Sequence, residues 1–344
     1  MHILQAIKPQ FTMKRITLLT KTCIFLMLSV VLIGCTNSVT VHSNFPGETI
    51  EGSKKVISET RSIPKSFDKI QVSSSIDVEL QQSDDYEIIV EADDNIIDYL
   101  LTEVNGGTLK IHFDIISVKN IEEAKVYVKM PHISELRASS SSEIKVVNPI
   151  ESDHLVLRAN STSDMKLSEI IAKSVIIDAG SSAEIEIGEI YVDKSEIESS
   201  ATADIKIKIV RAEKVILSAT SSSEIIIDKV FTDKLKAQVT STADIEINTI
   251  NANHVSLDAT SSGDIEIKGT TKELEAKTSS TANIDAKELR AGHVTVEASS
   301  SSEVAVYPII SLKATANSSA DIYYYSQPET IEKDTSSAGS VEKK

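Results

Sequence analysis

Carboxylates recur through the second half of this sequence at a nearly fixed step: Glu143, Asp164, Glu184, Asp204, Glu224, Asp244, Asp264, Glu303 and Asp321, with Asn283 in the same series. The steps are 21, 20, 20, 20, 20, 20, 19, 20 and 18 residues. Two places before each stands a hydroxyl: Ser141, Thr162, Ser182, Thr202, Ser222, Thr242, Ser262, Thr281, Ser301 and Ser319. Serine and threonine alternate through the first nine of these, and Glu and Asp through the first six acids, which points to an ancestral unit of two repeats. Oxygen ligands presented once per repeat are chemistry suited to a divalent cation or a hydrogen-bonding polymer. The same composition also makes a solvated turn. Exposed carboxylates ~4.8 Å apart repel by about 0.9 kcal/mol per pair in water before screening, so the row does not require a cation. The glycine- and aspartate-rich nonapeptide of calcium-binding solenoids does not occur.

The other residue with assignable chemistry is Cys35. Residues 1–34 hold no Asp or Glu but carry Lys14, Arg15 and Lys21, followed by eleven mostly apolar residues, Cys23 to Ile33. That run is shorter than the ~20 residues a membrane span needs and suits the apolar core of a secretory signal. It leads into Leu32-Ile33-Gly34-Cys35, which resembles a bacterial lipobox, so lipidation of Cys35 and removal of residues 1–34 are expected. Met13-Lys14-Arg15 is the more usual signal start. Cleavage would also remove Cys23, leaving no partner for an internal disulfide and no cysteine-based metal site or thiol chemistry.

Other catalytic sets are hard to find. The histidines of the mature chain (42, 112, 132, 154, 254 and 293) are scattered, and His154 and His254 read as turn residues at the same place in repeats five apart. No nucleophile elbow, zinc motif or phosphate loop is visible. A polysaccharide-cleaving β-helix would need acids and a base converging at one place. Here acids recur in every repeat. A regular Thr-x-Thr ice-binding row is met only at Thr240-Ser241-Thr242. No cofactor is implied.

The elements that carry the row follow from the apolar pattern. With each acid as position zero, +1 and +3 are mostly Ile or Val, as in Ile185/Ile187 and Ile265/Ile267, and +6 is usually apolar, as in Ile190 and Val230. Positions −9 and −7 are apolar too, as in Val215/Leu217 and Val255/Leu257. Alternation with period two is the mark of a strand with one buried face, and no helical stripe runs through the region. Positions −5, −3 and −1 are small, and on parity they should also face inward, letting the chain bend at a narrow edge. A lone repeat could not bury its apolar row, but stacked repeats share one core. The fold expected is all-β: a single-chain parallel β-solenoid with coils of ~20 residues.

Around this core, residues 1–34 read as a signal, 35–54 as a tether, 55–133 as irregular coils capping the solenoid, 134–325 as the regular repeat and 326–344 as a disordered tail. Within the cap, Asn105-Gly106-Gly107 should turn, and Asn95 to Val104 should form a short helix or an irregular turn.

The full chain carries 35 basic and 51 acidic residues. Without the four basic residues of the leader the balance is 31 to 51, or −20. Nucleic acid and anionic head groups are poor partners for such a surface. Trp is absent and aromatics are 4% of the residues, which argues against a sugar-stacking lectin site.

Several segments together resemble the auto-transporter adhesin "head GIN" domain family of Bacteroidetes envelope proteins. They are Phe67-Asp68-Lys69-Ile70, Ser75-Ile76-Asp77-Val78, Glu91-Ala92-Asp93-Asp94-Asn95, Gly107-Thr108-Leu109-Lys110-Ile111 and blocks such as Ser261-Ser262-Gly263-Asp264-Ile265. The resemblance spans roughly residues 60–325. The family's Gly-Ser-Gly-Asp-Val blocks appear here with Ser and Thr in place of most glycines. The resemblance implies a β-solenoid and an adhesive role, without an established activity. The expectation is a non-enzymatic envelope lipoprotein, held by lipid at Cys35 in the outer membrane, on its surface or its periplasmic face. Its partners would be a surface polysaccharide, a protein or a divalent cation. The alternatives are a periplasmic sensory or envelope-stress module and a polysaccharide-processing enzyme.

Overall fold

A computed structural model describes residues 49–62, 64, 66–115 and 117–344. The signal and Cys35 lie outside the described residues. Among the described residues the chain is nearly all-β, the one helical element being a turn of 3₁₀-helix at Ile97–Tyr99 that runs directly into the strand Leu100–Asn105.

From Glu135 onward, successive coils pair in parallel with their neighbours, forming a solenoid of about ten turns. Each coil has three sides, readable from where pairing breaks. In the coil beginning at Asp164 the paired runs are Asp164–Leu167, Glu169–Ile171 and Ser174–Ala179. The first run buries Met165 and Leu167, the second Ile170, and the third Val175, Ile177 and Ala179. Because every coil repeats this parity, inward side chains stack into one continuous core. Each fully buried Ile or Leu contributes about 1.5–3 kcal/mol of burial free energy. The 19-residue step between Asp264 and Asn283 is absorbed where the register shifts at Ile247/Ile250 opposite Ile267/Gly269. Gly269 has φ +127° there, a conformation open to glycine alone.

The turn before each acid closes the coil, and here the parity expectation fails at position −3. Position −3 has positive φ in every repeat unit: Ser140, Ser161, Ser181, Ala201, Ser221, Ser241, Ser261, Ser280, Ser300 and Ser318. A left-handed residue inserts an extra outward step, so the serines at −3 are exposed while position −1 returns to the core. Glycine takes this conformation without the ~1–2 kcal/mol steric penalty of an L side chain. In part of the series serine supports its own turn. Buried Ser142, Ser163, Ser223 and Ser302 at −1 donate to the carbonyls of Ser139, Asn160, Thr220 and Ser299 at 2.8–2.9 Å.

The N-terminal end is stacked out of sequence order. Lys69–Val72 lies between Thr108–Phe113 and Glu135–Ser139, parallel to both. Asp77–Gln82 likewise lies between Ala124–Met130 and Glu143–Val146. Beyond that outermost coil the pairing becomes antiparallel. Leu100–Asn105 forms a hairpin with Thr108–Phe113 through Gly106 and Gly107, at φ +58° and +78°, the two-residue turn expected of Gly-Gly. Val56–Thr60 and Glu87–Asp93 continue the antiparallel sheet from Ala124–Met130. At the end of the strand Glu87–Asp93, Asp93 is fully buried. Its carboxyl oxygens accept the backbone N–H groups of Lys54 (2.9 Å), Glu122 (3.0 Å) and Glu123 (3.3 Å).

Two boundaries move. The chain enters the fold within the expected tether, because Thr49–Glu51 pairs with Ser117–Lys119. The expected disordered tail is instead a further coil: Thr330–Ser336 pairs with Ser311–Asn317, and Ser340–Lys343 with Asp321–Tyr324. Ile331 and Val341 continue the columns of Leu312 and Ile322, and Ser337 and Ala338 supply the left-handed turn. The pattern was hidden because Ser340 occupies the acid position.

Candidate functional site: the acid-bearing face

Parallel pairing brings the predicted acids into one row. Glu143, Asp164, Glu184, Asp204, Glu224, Asp244, Asp264, Asn283, Glu303 and Asp321 are each in register with the next. The backbone locks that register: the N–H of Asp164 donates to Ser142, and that of Glu184 to Ser163, each at 3.0 Å. Asp77 extends the row, in register with Glu143. Its signal, the block Ser75-Ile76-Asp77-Val78, is present in the sequence, but an intervening excursion breaks its phase with the repeat.

Partial desolvation beside the turn raises the carboxyl pKa of Asp77, Asp164, Glu224, Asp244 and Asp264 above the ordinary range. Row neighbours add to this: Glu143 on Asp77, Glu184 on Asp164, Asp204 and Asp244 on Glu224, and Asp264 on Asp244.

The face is not uniform along its length. In the N-terminal half, lysines beside the row reach back one coil: Lys166 Nζ lies 3.2 Å from Glu143, and Lys206 Nζ lies 2.6 Å from Glu184. Next to them Lys145, Val147, Ser168, Gly188 and Lys208 help line a shallow hollow of about 870 Å³. In the C-terminal half the neighbouring column is acidic, with Glu246, Glu266 and Asp285 in register beside Asp244, Asp264 and Asn283. Asp244, Asp264 and Glu303 are exposed, whereas the acids from Glu143 to Glu224 are half-buried.

The alternating hydroxyls have a structural explanation. They bond in twos: Ser141 with Thr162 (2.9 Å), Ser182 with Thr202 (2.6 Å), Ser222 with Thr242 (3.0 Å) and Ser262 with Thr281 (2.9 Å). Thr242 and Thr281 in turn donate to the carbonyls of Ser221 and Ser261 in the preceding coil, each at 2.9 Å. The two-coil period is thus a pairing period, and it occupies hydroxyls that could otherwise face a ligand.

His154 and His254 do fall in one column, but Ser174, Lys194, Lys214 and Lys234 separate them. Each bonds locally, His154 Nδ1 to Ser174 Oγ and His254 Nδ1 to Glu273 Oε2, both at 2.8 Å. Among the described residues no group of three or more His, Cys, Asp or Glu is arranged to hold a metal ion.

The family described as "Putative auto-transporter adhesin, head GIN domain" matches residues 66–228 and again 189–328. The chain belongs to this family. The overlap of the two head GIN matches reflects the fold: coils related by simple stacking have no unique boundary. Similar solved structures include one described as a putative lipid binding protein of Parabacteroides distasonis (22% identity, TM-score 0.33, covering 86% of this chain and all of that one). Two others are described as putative adhesins. One is from Parabacteroides merdae (17%, TM-score 0.41, 87% and 100% covered) and one from Parabacteroides distasonis (20%, TM-score 0.39, 86% and 100% covered). No curated protein matches the chain. The family and these structures carry descriptions of adhesion or lipid binding, not of a reaction.

Proposed function

We propose that this head GIN protein is a non-enzymatic binding or adhesion module of the cell envelope, held to the outer membrane by lipid on Cys35. The observation that carries the reading is the family match over residues 66–228 and 189–328. The fold supports it, because a stack of about ten coils offers long lateral faces with repeated chemistry. The leader supports the anchor: a basic start, a short apolar core and Leu32-Ile33-Gly34-Cys35 are the order that export and lipidation require. A surface protein, a polysaccharide or a divalent cation remain the partners to test.

Cys35→Ser tests the anchor. Fatty-acid labelling and membrane association should both be lost, and retention of both would refute lipidation at this residue. Calcium titration followed by thermal melting tests the cation. Binding along the acid row would raise the melting temperature, and an unchanged melt at millimolar calcium removes this partner.

A further inference from the structure

The corner that follows the acid-bearing face carries an unusual column. Ile171, Tyr191, Arg211, Phe231, Asn251, Thr270, Arg290 and Tyr307 are each in register with the next. Between Asp164 and Val306 the sequence contains two aromatic residues, Tyr191 and Phe231, and two arginines, Arg211 and Arg290. All four fall in this one column, out of ~20 positions per coil. Aromatic residues and arginine are the types that dominate binding energy at protein interfaces. Ile171, next in line, leaves 42% of its surface exposed.

We propose that the ridge Ile171–Tyr191–Arg211–Phe231 docks a protein segment that presents a carboxylate beside apolar side chains. The inference rests on the reading of the chain as a binding module. The Arg211 guanidinium lies 4.1 Å from the centroid of the Phe231 ring. Stacking holds the guanidinium plane in place, part of its N–H fork meets the Tyr191 hydroxyl, which bonds Glu189, and the exposed side chain keeps further donors for a carboxylate. The other two arginines of the repeat are used differently: Arg137 and Arg158 both pair with Glu135, at 2.6 and 3.0 Å. Among the described residues Arg211 forms no ion pair within 4.0 Å. Ile171 and the edge of the Tyr191 ring supply apolar contact on the same ridge.

A sugar fits less well. Arg211 covers one face of the Phe231 ring, so a pyranose would compete with the guanidinium for that face. An acidic polysaccharide would also meet a chain of net charge −16, where long-range repulsion slows its approach. A short segment with one carboxylate avoids most of that repulsion. The cation–π contact alone would stabilise the stacking of two coils by about 0.5–1 kcal/mol. That accounts for the Arg211–Phe231 pair, and the hydrogen bond to Glu189 holds Tyr191, but neither accounts for the exposed Ile171 on the same line.

The test uses the purified full chain and an array of short synthetic peptides in which Asp or Glu is flanked by Leu, Ile or Phe. A matched array carries Asn or Gln instead, and polygalacturonate is run alongside. The carboxylate peptides should bind, with the amide set roughly ten-fold weaker, equivalent to ~1.4 kcal/mol. Arg211→Gln and Ile171→Ser should each weaken binding, while Arg158→Gln should leave it unchanged. Both ridge side chains project outward, and melting curves verify that the variants fold. If Arg211→Gln does not fold, Ile171→Ser decides. The proposal is overturned if no peptide binds, if acid and amide peptides bind alike, if the ridge variants bind as the parent does, or if only polygalacturonate binds. Surface exposure on cells is measured separately, so failure of the ridge and failure of the envelope reading can be told apart.

Discussion

At the N-terminal end one buried side chain, Asp93, holds three backbone donors from two separate segments. Along the repeat the equivalent task is divided among many small links, such as the four Ser–Thr pairs. The cap is built of strands that pair antiparallel and out of order, and its loops lack a template in neighbouring coils. The repeat has a template at every step. Damage should therefore be concentrated and severe in the cap, and diluted in the repeat.

The sharpest way to break this comparison is Asp93→Ala. Three backbone N–H groups lose their buried acceptor, and a loss of about 2–3 kcal/mol is expected in urea unfolding, given ~1 kcal/mol per hydrogen bond and more to a charged group. A change under ~0.5 kcal/mol, the level of an ordinary surface substitution, would show that the cap does not depend on it. The next largest effect lies in the repeat and has the opposite sign. Ser195 is fully buried and its hydroxyl has no partner. It sits in the core column between Val175 and Val215. Ser195→Val should add about 1–2 kcal/mol by removing an unmet polar group, and destabilisation would contradict the accounting.

Smaller effects test how far the repeat spreads its load. Thr242→Val removes the partner of Ser222 and a donor to Ser221, and should cost about 0.5–1 kcal/mol. Smaller still are charge exchanges at neighbouring places on the face. Lys206→Glu should destabilise by about 0.5 kcal/mol and Glu246→Lys stabilise by a similar amount, the size of exposed ion pairs. Equal signs would mean that the two halves of the face do not differ electrostatically.

Proton uptake gives the last contrast. The pKa of Asp77, Asp164, Glu224, Asp244 and Asp264 is raised, chiefly by burial. The folded chain therefore binds more protons than the unfolded chain above the ordinary carboxylate range. Their stabilising contribution is complete below the unfolded value and is lost as pH rises through the folded value. Asp94 and Asp153 work the opposite way, held low by Ser53 and by Lys173 respectively. The melting temperature should rise as pH falls into the upper carboxylate range, and Asp244→Asn with Asp264→Asn should flatten that rise.

Much of the solenoid was readable from strict alternation at +1, +3, +6, −9 and −7, because inward parity in a strand is a local property. The turn was not. Parity assumes extended backbone throughout, and Ser241 or Ser261 shows no outward sign of a left-handed φ. The final coil escaped notice because Ser340 replaced the marker acid. The out-of-order stacking of residues 69–82 depends on which distant strands meet, which no local period records. Within the acid row the positions were legible, but the ion pairs of Lys166 and Lys206, one coil back, and the pairing of hydroxyls needed the register. The ridge had a plain signal: residues 171, 191, 211 and 231 stand 20 apart. It is lost among the acids when the repeat is phased on them alone.

The proposed adhesive role requires that this stack of coils face outward from the cell. Intact cells producing the full chain can be treated with an external protease and probed for the solenoid, with a periplasmic protein as the control for lysis. The account predicts that the solenoid is degraded while the control survives. Survival of both until the outer membrane is permeabilised would contradict it and place the chain on the periplasmic side, as a sensory or envelope-stress module.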